Sequence, residues 1–161
     1  MKKRLWALSL AAAMGLSVQA GYAEGGAAAQ GQHAEGYEQA VSAFLAHTPG
    51  AAVDYALRER DDGRYEWDLF FTLDGQFGKA EVDESDFKVR SVVLRDMPEG
   101  AKTASQIVDA LVKEKGDLRI VDLDLDADKS RIRYEGEAEM GEKRYEFEMD
   151  VFGNVTEWER D

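Results

Sequence analysis

The sequence predicts an α+β fold: two tandem repeats of one helix packed on a four-stranded antiparallel sheet. Two helical stripes, each closed by a Gly, are the first observation behind this reading. The second is that period-two runs of apolar and acidic residues follow each stripe. The third is a near-constant spacing between the halves, with Val41, Leu45, Gly50 and Leu57 falling on Ile107, Leu111, Gly116 and Leu123.

The chain begins with Lys2, Lys3 and Arg4, an apolar run from Leu5 to Val18, and small residues at Ala20 and Ala23. That order predicts a signal peptide over residues 1–23, cut after Ala20 or Ala23. The run is too short to span a bilayer, which takes roughly 20 residues, so stable membrane insertion after its removal is not expected. Residues 24–36, rich in Gly, Ala and Gln, read as a flexible leader. The first repeat occupies 37–96, a junction 97–102 and the second repeat 103–161.

Tyr37, Ala40, Val41, Phe44 and Leu45 share one helical face, and Pro49-Gly50 ends that helix. In the second repeat Ala104, Ile107, Val108, Leu111 and Val112 repeat the stripe, with Thr103 and Gln106 spaced for a capping box. Strands follow at Val53-Tyr55-Leu57, at Tyr65 to Leu73, at Ala80-Val82 and at Val89 to Leu94. Their counterparts are Val121-Leu123-Leu125, Ile132 to Met140, Tyr145 to Val151, and Val155 to about Trp158. Turn residues at Asp62-Gly63, Asp74-Gly75, Gly141 and Gly153-Asn154 make the strands antiparallel meanders.

The run Tyr145-Glu146-Phe147-Glu148-Met149-Asp150-Val151-Phe152-Gly153-Asn154-Val155 resembles the closing hairpin of PepSY domains. A looser version runs from Lys79 to Val89, with Asp86-Phe87 where Gly is usual. More distantly, the tandem arrangement is similar to β-lactamase inhibitory proteins, although those carry disulfides and this chain has no Cys. The resemblance implies an exported, periplasmic or secreted protein-binding module, with a peptidase or another envelope protein as partner. It transfers no catalytic residue.

Composition narrows the chemistry. A formal charge of −13 repels nucleic acid and anionic membranes. Cys catalysis is impossible without Cys, and two His, His33 and His47, cannot build a multi-His metal site. No cofactor and no catalytic group is expected.

Asp124, Asp126, Asp128 and Glu135 match the spacing of an EF-hand loop, but Lys129 replaces its Gly and the flanks alternate like strands. A weaker calcium contact through Asp122, Asp124 and Asp126 is the alternative to protein binding. The candidate partner-binding residues are Glu66, Asp68, Phe70, Glu135, Glu137, Glu146 and Glu148, an acidic sheet surface around an aromatic. Phe70 breaks the polar alternation around it, so it either meets a partner or packs against the other repeat.

Overall fold

The computed structural model describes residues 35–127 and 131–161. The predicted signal peptide, most of the predicted leader including His33, and Asp128 and Lys129 of the EF-hand-like spacing lie outside the described residues. In chain order the elements are α1 (Tyr37–His47), β1 (Ala52–Asp61), β2 (Arg64–Leu73), β3 (Gln76–Asp83), β4 (Val89–Arg95), α2 (Ala104–Lys115), β5 (Arg119–Ala127), β6 (Ile132–Met140), β7 (Lys143–Asp150) and β8 (Val155–Arg160). Two four-stranded antiparallel sheets result, ordered β1-β2-β3-β4 and β5-β6-β7-β8. No helix among the described residues is long and apolar enough to cross a membrane.

In the first half, Ala40 and Phe44 of α1 pack on Ala56, Trp67, Leu69, Phe71, Ala80 and Val82. In the second, Ala104, Ile107, Val108 and Leu111 of α2 cover Leu123, Tyr134, Ala138, Phe147 and Met149. This second core also takes in Tyr55, Leu57 and Phe70 from the far side of the first sheet. Helix α2 therefore sits between its own sheet and β1.

A β-bulge explains how β1 serves both cores. The register with β2 slips between Val53 and Tyr55, leaving Asp54 as the extra residue. An extra residue reverses the side-chain alternation beyond it. Val53 and Ala56 face α1, whereas Tyr55 and Leu57, expected beside Val53, face the second half. A matching bulge in β5 lies between Ile120 and Asp122, with Val121 extra.

The bulges set the relation between the halves at 67 residues. Helix starts Tyr37 and Ala104, buried helix residues Ala40 and Ile107, and strand ends Asp83 and Asp150 all keep that spacing. Leu57 therefore corresponds to Asp124, not to Leu123. The pair Ala56–Leu69 becomes Leu123–Gly136, so bulk moves from β2 to β5. Gly136 is required there, because a Cβ would lie 2.1 Å from the Asp122 carbonyl oxygen of the bulge.

Phe87 adopts a positive φ of 50° in the turn after β3, where Gly153 stands after β7 with φ 90°. That conformation strains a side chain with a Cβ. Packing of the Phe87 ring against the first core holds it.

Candidate functional site

The faces of the two sheets turned away from their helices carry the polar chemistry, and they differ. On the first sheet this face bears Tyr55, Leu57 and Glu59 of β1, Asp68 and Phe70 of β2, and Lys79 of β3. The second half covers it: Phe70 is 2% exposed and Asp68 is 0% exposed. Phe70, one of the two readings of which placed it on an open surface, packs against the other half. Its burial has a plain cause, since β1 past the bulge offers Tyr55 and Leu57 as apolar neighbours and the Tyr55 ring lies 6.0 Å away.

Asp68 is likewise not a surface carboxylate. Its Oδ2 lies 2.8 Å from Lys79 Nζ, which is also 3.4 Å from Asp124 Oδ1 of β5. Burial pushes Asp68 up to about 6 in spite of Lys79. For Lys79, burial opposes the charge, but Asp68 and then Asp124 outweigh it and hold the ammonium above the ordinary lysine range.

Asp54, the bulge residue, ties the halves together at a second point. Its Oδ2 accepts a hydrogen bond of 3.1 Å from the Ser105 N–H in the first turn of α2. The predicted capping partner Gln106 accepts from the Thr103 N–H at 3.0 Å. Burial raises the Asp54 carboxyl, and the Thr103 and Ser105 hydrogen bonds oppose that rise.

The corresponding face of the second sheet is open. Cross-strand partners place Asp122, Glu137, Glu146 and Glu159 in one row and Asp124, Glu135, Glu148 and Glu157 in the next. Like charges directly opposite one another are destabilising. Several are matched by cations: Arg133 reaches Asp126, Glu135 and Glu148, Arg131 reaches Glu148, and Arg144 reaches Glu137 and Glu139. Glu146, Glu157 and Glu159 have no ion pair among the described residues, while Asp122, at the edge of this face, lies half-buried beside Glu59 of the first sheet.

A shallow depression of about 270 Å³ lies over Gly136, ringed by Asp122, Glu135, Glu137, Glu146, Glu148 and Glu157. Four of the predicted residues thus gather here, while Asp68 and Phe70 belong to the junction and Glu66 stays half-buried on the first sheet. Sequence reasoning missed Glu157 and Glu159, although both alternate with Trp158 on the last strand.

Asp124 and Glu135 are direct partners in an antiparallel ladder, which replaces the helix-loop-helix an EF-hand needs. Among the described residues no group of three or more His, Asp or Glu side chains is arranged to hold a metal ion. His47 ends α1, in the last turn of the helix.

Residues 36–83, from the residue before α1 to the end of β3, match the PepSY family model, described as "Peptidase propeptide and YPEB domain". The match covers this stretch, less than half of the chain. The hairpin quoted for the resemblance was closer in the second half, yet the match falls on the first. It rests on the helix and three strands and ends before the Asp86-Phe87 turn.

Among solved structures, the chain is similar to a candidate lipoprotein from Clostridium difficile 630, with 17% identity and a TM-score of 0.42 over 78% of this chain and 92% of that one. It is also similar to a BLIP-like protein from Bacteroides fragilis NCTC 9343, with 12% identity and a TM-score of 0.29 over 76% and 84%. No curated protein matches the chain significantly.

Proposed function

We propose that this is an exported, non-catalytic binding module built of two PepSY-like repeats, which engages a basic surface of a protein partner through the open acidic face of its second sheet. Identity in strand order and the 67-residue spacing of the bulges support the repeat. The observation that carries the binding reading is the pair of carboxylate rows on that face. Such rows cost folding stability, and three of their members, Glu146, Glu157 and Glu159, have no ion pair among the described residues, so a cationic partner would gain where the fold loses. A peptidase or another envelope protein is the class of partner that the PepSY match supports. The N-terminal pattern of Lys2 to Ala23 supports export to the periplasm or beyond.

The test is to capture partners on the immobilised protein from an envelope extract and then measure association of the captured protein as salt rises. Association should slow with salt, since at about 0.15 M charges are screened beyond roughly 8 Å. Charge reversal at Glu146 and Glu157 should slow association more than it speeds dissociation. Binding that ignores both salt and these substitutions would overturn the reading.

A further inference from the structure

Between the halves lies a group of charged side chains drawn from four strands. Glu59 of β1, Asp68 of β2 and Lys79 of β3 stand on the covered face of the first sheet, and Asp122 and Asp124 of β5 lie against them. One ammonium thus serves carboxylates from both halves. Asp68 Oδ1 and Glu59 Oε2 are buried and receive no hydrogen bond from any N–H or O–H among the described residues. Glu59 lies within hydrogen-bonding reach of Asp68. Two carboxylate oxygens placed against each other have only lone pairs to offer, and they form a bond only when one carboxyl keeps its proton.

We propose that Glu59 and Asp68 share a single proton, and that this proton latches the two halves together: the junction is closed while it is bound and loosens when it leaves. The charge count supports the latch. With every carboxyl ionised, Glu59, Asp68, Asp122 and Asp124 would face Lys79 alone, with Glu66 and Glu81 adding repulsion beside Asp68. A groove of about 600 Å³ also opens beside Glu59, lined by Arg58, Arg60, Tyr65, Arg119, Glu137 and Arg144. Three of its guanidiniums are already spoken for, Arg58 by Glu84, Arg119 by Glu139, and Arg144 by Glu137 and Glu139.

Burial, followed by repulsion from Asp68 and Asp122, pushes Glu59 up to about 8, and burial pushes Asp68 up to about 6. The sign follows from those directions. A carboxyl raised in the folded state contributes its full stability below its unfolded value and loses it progressively as pH climbs from there to the raised value. The latch therefore weakens from about 5, where the carboxyl of the opened junction ionises, up to about 8, where its contribution is spent.

The inference is independent of what the acidic face binds. Hydrogen exchange of the full chain, followed by mass spectrometry from about pH 4 to 10 and corrected for the intrinsic exchange rate, tests it. Opening of β1 and β5 should rise by about tenfold per pH unit from about 5, where the carboxyl of the opened junction has lost its proton, up to about 8, and level off above it, while β6 and β7 stay protected. Glu59→Gln keeps the shape, donates an N–H to Asp68 and has no proton to lose, so its opening should be flat over this range. A wild-type profile that is itself flat, or a Glu59→Gln profile that rises in step with wild type, would overturn the latch. Carbon-detected titration of the side-chain carboxyls in wild type gives a second measurement should Glu59→Gln not fold. One junction carboxyl should titrate near 8; titration of both below about 5, in the ordinary carboxylate range, would overturn the proposal.

Discussion

The two sheets share strand order and bulge position, yet they use their outer faces for opposite purposes. The first sheet turns Tyr55, Leu57 and Phe70 outward and buries them in the neighbouring core. The second turns Asp122, Glu137, Glu146 and Glu159 outward and leaves Glu146 and Glu159 exposed. The same strand order thus yields a joint in one half and a free surface in the other. What separates them is the side chains that follow the bulge: Tyr55 and Leu57 in β1 stand where Asp122 and Asp124 stand in β5. The apolar pair is buried in the joint, whereas the acidic pair stays at its rim, where Asp124 meets Lys79.

The largest effect is expected at the joint. Phe70→Ala removes a ring that is 2% exposed, and losses of about 3–5 kcal/mol are usual for a buried aromatic. Guanidinium unfolding monitored at Trp67 and Trp158 should show it in both halves, because the ring belongs to the second core while its strand belongs to the first. A loss under about 1 kcal/mol would mean that the two faces are not used differently after all.

Gly136→Ala probes the bulge itself. Its Cβ would meet backbone at 2.1 Å, and backbone cannot swing aside as a side-chain end can. A cost in the range of about 1–3 kcal/mol is expected, typical of overpacking. Gly63 and Gly75, with nothing within 4 Å, have only their φ of 81° and 83° to lose and should cost less. If Gly136→Ala is neutral by thermal unfolding, β5 does not bulge against β6.

Asp54→Ala should cost about 1 kcal/mol, the ordinary effect of deleting a helix cap, even though helix and cap belong to different halves. The Ser105 amide, which donates to Asp54, should lose protection from exchange in this variant. Asp54→Asn keeps an acceptor and should restore most of both. Unchanged exchange at Ser105 would show that the joint is apolar only.

Most of the secondary structure was legible because it rests on periodicity. The stripe Ala104, Ile107, Val108 and Leu111 is buried as expected, and Tyr134, Ala138, Phe147 and Met149 form the inward face of the second sheet. What alternation could not deliver was parity beyond a bulge. Asp54 looks like an ordinary polar position, and only the three consecutive buried residues Tyr55, Ala56 and Leu57 betray it. One extra residue moved Leu57 to the other face, where its counterpart in the second sheet is Asp124 and not Leu123. Glu59 and Asp68 were illegible for a related reason. Acidic alternation looks the same on a solvated face and on a covered one, and only the position of the second half decides between them. The open face was easier, since Glu135, Glu137, Glu146 and Glu148 needed nothing but strand register to meet.

The smallest effect, and the one that tests the open face most directly, belongs to Glu146→Gln. Glu146 is exposed, lies between Glu137 and Glu159 across the sheet, and has no cation among the described residues. Glu137 already has Arg144, at 3.0 Å, so the repulsion on Glu146 comes chiefly from Glu159 and, through the depression, from Glu148 and Glu157. Removing one charge from such a row should raise stability, by about 0.2–1 kcal/mol as for other directly opposed like charges. The gain should appear in thermal unfolding at low ionic strength and shrink toward zero near 1 M salt, where the screening length is about 3 Å. Glu66→Gln on the first sheet is the control, because Glu66 is half-buried beside the covered junction and adds repulsion to Asp68 through a drier medium. Its effect should survive salt better than that of Glu146→Gln. Should the Glu146 substitution destabilise the fold, or its gain persist undiminished in high salt, the carboxylate is matched or shielded within the molecule and the second face is not the open charged surface that distinguishes it from the first.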